Sequence, residues 1–183
     1  MFVCNLILLL VFSLGRGEAQ SASGKPLAPP SIGVVYLLDS SNQNLKALSD
    51  EAWKAGRSSA WKAAYGRSHT GTISLDVSGG RSSFRIAADK PEFVFTFGSP
   101  ENAVLYVSTE DKKNKRQFAV ETVNVNTNRI SNLPGISVEI TQFGESSYKL
   151  APKSPLHPGE YAILLRGSPQ AKDKKIFTFG IDQ

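Results

Sequence analysis

Cysteine is almost missing from this sequence. Its 183 residues hold one, Cys4. One thiol closes no intramolecular disulfide and completes no CxxC or zinc-ribbon site. Histidine is nearly as scarce. His69 and His157 are the only two, and they lack the HxH or HExxH spacing of a His-based metal centre. No G-x-S-x-G nucleophile turn occurs; the nearest string, Gly66 to Gly71 (GRSHTG), is one residue too long. No Asn-x-Ser/Thr sequon occurs either. Neither sign of charge dominates: 21 Lys and Arg stand against 16 Asp and Glu, a net charge of +5. With 20% charged and 40% apolar residues, the chain is not a disordered tail.

What is present begins with a targeting segment. Leu6 to Leu14 (LILLLVFSL) is an apolar run of signal-peptide length, too short for the ~20 residues that span a bilayer. No Lys or Arg precedes it. Gly17 and Ala19 suit the −3 and −1 positions of a signal peptidase site, so residues 1–19 read as a signal peptide cleaved after Ala19. Cys4 lies before the apolar run rather than at its end, which does not fit lipoprotein acylation. Cleavage removes the only Cys and leaves the net charge at +5. The expected location is periplasmic or extracellular, with no membrane span after cleavage. Export takes nucleic acid off the list of partners. An envelope protein or a polysaccharide stays on it.

Residues 20–31 are rich in Ser, Ala and Pro and read as a flexible linker. Residues 32–183 read as one β domain. Ile32–Leu38 is the first expected strand and Leu45–Leu48 its return. Ser49 to His69 is ambiguous: Ser49-Asp50-Glu51 suits a helix start, but Gly56 and Ser58-Ser59 weaken a helix, so irregular or strand-like structure is expected. Thr72–Val77 alternates, with Ile73, Leu75 and Val77 on one face. Phe84 and Ile86 share a face opposite Arg85, and Phe93, Phe95 and Phe97 form an aromatic row. Ala103–Val107 is apolar on both faces, as a central strand would be. Asp111–Arg116 reads as a charged hairpin tip, with Gln117–Val125 returning from it. Ile136, Val138 and Ile140 alternate, and Tyr148–Leu150, Tyr161–Leu165 and Ile176–Ile181 complete the set. Many short strands divided by Gly, Pro, Asn and Ser turns predict an antiparallel sandwich.

One string sharpens this. Leu156-His157-Pro158-Gly159-Glu160-Tyr161 resembles the tyrosine corner of immunoglobulin-like and fibronectin type III domains. In those domains the Tyr hydroxyl bonds back to backbone and locks the crossover into strand F. The resemblance implies that Tyr148–Leu150 is strand E, Tyr161–Leu165 strand F and Ile176–Ile181 strand G, with Gly167–Lys175 as the F–G loop. It makes Leu156, Pro158, Gly159 and Tyr161 structural corner residues. The Cys pair and core Trp of antibody domains are absent, and the length exceeds the ~100 residues of an immunoglobulin domain. The expected fold is therefore all-β, an antiparallel immunoglobulin-like β-sandwich with extra N-terminal strands. The longer strings Gly144–Leu150, Pro158–Ala162 and Phe179–Asp182 are similar to a group of uncharacterised exported bacterial proteins. That resemblance implies export and β structure, and no activity or site residue.

The search for chemistry finds little. Ser68 next to His69 is no triad without an orienting third group in space, so a polar loop is the plainer reading. Glu51, Asp76, Glu92, Glu121, Glu139 and Glu160 are scattered, and no pair can be chosen for the two-carboxylate work of a glycosidase. No catalytic residue, metal ligand or cofactor is assigned. Binding has two candidate patches. Trp53 and Trp61 face one side if their stretch is extended; they would stack on sugar faces or else cover the core. Lys112, Lys113, Lys115 and Arg116 would attract a polyanion or else keep the tip soluble and unpaired. The expected role is a non-catalytic binding or structural module of the cell envelope or exterior. Carbohydrate binding through Trp53 and Trp61 is the alternative, and a small hydrolase using Ser68 and His69 or a carboxylate pair is the third.

Overall fold

The computed structural model describes residues 28–182 except 40, 42–43, 58–69, 113, 125 and 168–173, with backbone alone at 57 and 110–112. The expected signal segment 1–19 and most of the linker 20–31 lie outside the described residues. The strands are β1 (Val35–Asp39), β2 (Asn44–Ala47), β3 (Trp53–Arg57), β4 (Thr70–Ser78), β5 (Arg85–Ile86), β6 (Glu92–Phe95), β7 (Ala103–Val107), β8 (Glu110–Lys112), β9 (Lys115–Asn124), β10 (Arg129–Asn132), β11 (Val138–Phe143), β12 (Ser147–Pro152), β13 (Gly159–Leu165) and β14 (Lys175–Ile181). One 3-10 turn, Pro100–Asn102, is the only helical element among the described residues. The protein is all-β.

The strands form three sheets. A front sheet runs β11-β12-β6-β1-β2, a central sheet β5-β14-β13-β7, and a back sheet β10-β9-β4-β3, with β8 also on β9. All pairs are antiparallel except β5 with β14. The sequence of the central sheet explains its place. Along β13, Tyr161, Ile163 and Leu165 join one buried cluster with Val35, Phe93, Phe95 and Leu150 of the front sheet. The alternate residues Ala162 and Leu164 join a second cluster with Leu75, Val77, Phe118 and Val120 of the back sheet. In β14, Phe177, Phe179 and Ile181 likewise face the front cluster while Ile176 faces the back one. A strand buried on both faces needs apolar residues at successive positions, which is why Ala162 to Leu165 has no polar partner face. The result is a sandwich of three layers around two cores.

Ala103–Val107 (β7) carries the same two-sided apolarity, yet it stands at an edge of its sheet. Its pattern records layers above and below, not neighbours on both sides. The open edge is covered instead by a crossing segment: the Ile136 N–H donates to the Leu105 carbonyl at 2.7 Å. Gly135 permits that approach, since a Cβ there would lie 2.5 Å from the Leu105 carbonyl oxygen. Covering an edge in this way removes a template for unwanted pairing.

One boundary shifts from expectation. Ile32 is 79% exposed because Gly33, at φ +71°, turns the chain before β1 starts at Val35. Within the ambiguous stretch, Trp53–Arg57 is a strand paired with β4, in line with the strand-like expectation there.

The corner sits where the chain leaves the front sheet after β12 and enters the central sheet at β13. The Tyr161 hydroxyl donates to the His157 carbonyl at 2.6 Å, and its ring stacks on Phe179 with centroids 5.4 Å apart. Leu156 is buried and its N–H donates to the Asp89 carbonyl, whereas Pro158 is exposed and Gly159 half-buried. Burial pushes the Tyr161 hydroxyl above its ordinary pKa, so it stays a donor. Tyr161→Phe keeps the ring and strands the carbonyl. It is expected to cost about 1–3 kcal/mol in urea unfolding; an unchanged midpoint would reject the corner's role.

Candidate functional site

Among the described residues, those singled out by sequence do not converge. Trp53 is half-buried at the rim of the back core, and its indole N–H donates to the Lys174 carbonyl at 3.0 Å. Trp61, Ser68, His69 and Lys113 lie outside the described residues, as does the side chain of Lys112. β8 and β9 do form a hairpin. Lys115, beside the turn of that hairpin, binds the Asp76 carboxylate at 2.8 Å. Arg116 is no tip residue: it is 1% exposed. His157 is exposed, and it is its backbone carbonyl that serves the corner.

Arg116 belongs to a polar network that plugs one end of the back core. Its guanidinium donates to the Gly79 carbonyl at 3.0 Å, the Ser78 carbonyl at 3.1 Å, the Thr178 hydroxyl at 2.5 Å and the Glu51 carboxylate at 2.7 Å. The Thr178 hydroxyl in turn donates to Glu51. Glu160 lies 3.9 Å from Arg116, accepts from the Ser82 N–H at 2.7 Å and pairs with Arg85. Arg85 reaches on to Asp182 at 2.5 Å, and Arg81 reaches the same carboxylate at 3.1 Å. The signs alternate along the chain Arg81, Asp182, Arg85, Glu160, Arg116, Glu51. Hydrogen bonding to Asp182 raises the Arg85 pKa and lowers that of Asp182. Gly180 leaves room for Arg85: a Cβ there would overlap the guanidinium.

The signal for this network was in the alternation. Arg116 shares its face with Phe118 and Val120, and Glu160 shares its own with Ala162 and Leu164. A charge in phase with core residues is an inward charge. The basic run around Arg116 hid that phase.

The outer face of the back sheet is mostly polar. Asp76 there accepts from Ser74 at 3.1 Å, Gln117 at 2.8 Å and Lys115. Burial pushes its carboxyl up, but the hydrogen bonds from Lys115, Ser74 and Gln117 and the Lys115 charge outweigh that and hold it below 3.8. A lowered folded value means stability that is complete above the unfolded carboxyl range and lost as pH falls through the folded value. The wild type should therefore lose more urea resistance than Asp76→Asn between pH 5 and pH 2. Parallel acid profiles would refute the linkage.

Further along the same face, register sets two rows of three. Thr72, Thr122 and Ser131 pair across β4, β9 and β10, and Thr70, Asn124 and Arg129 pair beside them. Five of these six line an open groove of about 830 Å³, together with Thr127. Opposite them, Glu121 points toward the central sheet and pairs with Lys174 at 2.6 Å, which fixes the groove on the outward side. The β9–β10 turn is held by the Asn124 side-chain oxygen, which accepts from the N–H groups of Asn126 and Thr127. Sequence reading missed this groove because no single strand carries it; it needs the register of three.

Of the six carboxylates weighed for catalysis, five sit in ion pairs, Glu51 and Glu160 within the one network around Arg116. Glu51 is with Arg116, Asp76 with Lys115, Glu92 with Lys149, Glu121 with Lys174 and Glu160 with Arg85. Glu139 is exposed on β11. Among the described residues no three His, Cys, Asp or Glu side chains are grouped to hold a metal ion, and no helix is long and apolar enough to cross a membrane. Comparison with protein-family models, curated proteins and solved structures finds no match for this chain.

Proposed function

We propose that the chain is an exported, immunoglobulin-like β-sandwich module that works without catalysis, as a binding or structural component of the cell envelope or exterior. The observation that carries this reading is the pairing of the carboxylates. Five acids are each neutralised by a different cation. A general acid must present its proton to a substrate; these carboxylates are turned to cations instead. The immunoglobulin-like part is supported by the corner hydrogen bond and by the placement of β12 and β13 in different sheets, with β13 and β14 as a hairpin. Trp53, with its N–H committed to Lys174, fits a core cover better than a stacking platform.

The test is direct. Mass spectrometry of protein recovered outside the cytoplasm should find a chain starting at Gln20. That protein should turn over no ester, peptide or glycoside substrate. Recovery only as a full-length cytoplasmic chain would reject export, and turnover abolished by Ser68→Ala or His69→Ala would reject the non-catalytic reading.

A further inference from the structure

We infer that the outer groove of the back sheet is a binding site for an acidic saccharide, a hydroxyl-rich chain bearing carboxylates. The inference rests on the binding-module reading and gives it a site and a ligand class. Four of the lining residues, Thr70, Thr122, Thr127 and Ser131, carry hydroxyls; that of Thr122 donates to the Ser131 carbonyl at 3.4 Å and offers its lone pairs as an acceptor. Asn124 spends its side-chain oxygen on the turn, which leaves its NH2 group as a donor. Arg129 supplies a guanidinium, and no acidic residue among the described lining offsets it. A planar fork of donors is matched to a carboxylate.

The ligand follows from what the groove has and lacks. Its described lining contains no aromatic ring and no large apolar side chain, so an apolar ligand would gain little. A small inorganic anion would use Arg129 and leave most hydroxyls idle. A polyhydroxylated ligand uses both. The two rows lie about 7 Å apart along the strands and span about 10 Å across three of them, room for one or two sugar rings. The open groove measures about 830 Å³, within the general size range of small-ligand sites. The side chains stand on paired strands, so their spacing is set before the ligand arrives.

The experiment titrates the purified whole protein with a galacturonic acid tetramer, a galactose tetramer and an oligoglutamate of equal charge, at two salt concentrations. The acidic tetramer should bind at least about tenfold more tightly than the galactose tetramer, since one charge-assisted contact is worth that much, and more tightly than the oligoglutamate, which keeps the charge but lacks the hydroxyls. Arg129→Met and Thr122→Val should each weaken it, the second without changing its salt dependence. Both side chains stand on the outward face, so unchanged melting temperatures are expected and checked. Lys153→Gln, which removes an exposed cation elsewhere, should bind as the wild type does. Equal binding by Arg129→Met, or oligoglutamate bound as tightly as the sugar, would overturn the site. So would an absence of binding to any saccharide. Retention of the wild type and Arg129→Met alike on isolated envelope material would then remove the groove and leave the module reading standing. Loss of all retention would remove both.

Discussion

Arg116→Met is expected to cost about 3–5 kcal/mol, the usual penalty for breaking a buried ion pair from one side. Against a total stability of about 5–15 kcal/mol, that is a large share. The cost does not come from one bond. Arg116 is 1% exposed and donates to four partners. Its removal leaves the Thr178 hydroxyl, 1% exposed, short of a donor where water reaches poorly, and it frees the carbonyls of Ser78 and Gly79, which stand in exposed residues and can turn to water. Glu51, whose side chain is 24% exposed, regains some water. Glu160 keeps Arg85 and the Ser82 N–H. The double substitution Arg116→Met with Glu51→Gln removes the stranded charge, and should recover part of the loss. Urea unfolding of the three proteins decides it. A loss under about 1 kcal/mol, the worth of an exposed pair, would show that Arg116 is solvated after all.

The same residue shows where sequence reading stops. The strands were legible because period-2 alternation is imposed by the pleat itself. Leu75 and Val77, Phe93 and Phe95, and Ile176 through Ile181 all lie on strands where alternation or two-sided apolarity placed them. The Tyr161 corner was legible because it is local: donor and acceptor are four residues apart. The groove and the ion network are not local. Thr72, Thr122 and Ser131 meet only through the register of three strands, shifted by an irregularity between Ile73 and Ser74. Arg85 meets Glu160 and Asp182 through the parallel pairing of β5 with β14. Nothing in a single strand's pattern reports its neighbour's register. The third layer was hidden for a related reason: apolarity on both faces says that a strand is covered twice, but not by what.

That double cover leads to the second large effect. Phe179→Ala is expected to cost about 3–5 kcal/mol, because the ring is fully buried between Phe93, at a centroid distance of 4.8 Å, and Tyr161. Both neighbours are themselves held, Phe93 in β6 and Tyr161 by its corner bond, so the cavity closes poorly. Leu164 lies on the opposite face of the central sheet in the back core, and Leu164→Ala is expected to cost about 2–5 kcal/mol. The two sites share no core cluster, so their losses should add to within about 0.5 kcal/mol. A central sheet shared by both cores also couples them: neither can open while β13 and β14 stay paired to both covers. In a Trp61→Phe background, Trp53 at the rim of the back core is the only tryptophan left. Its fluorescence should report the loss from Phe179→Ala, a front-core change, at the same urea midpoint as far-ultraviolet circular dichroism. Separate midpoints would mean that the front and back cores unfold independently, and the three layers would not be one cooperative unit.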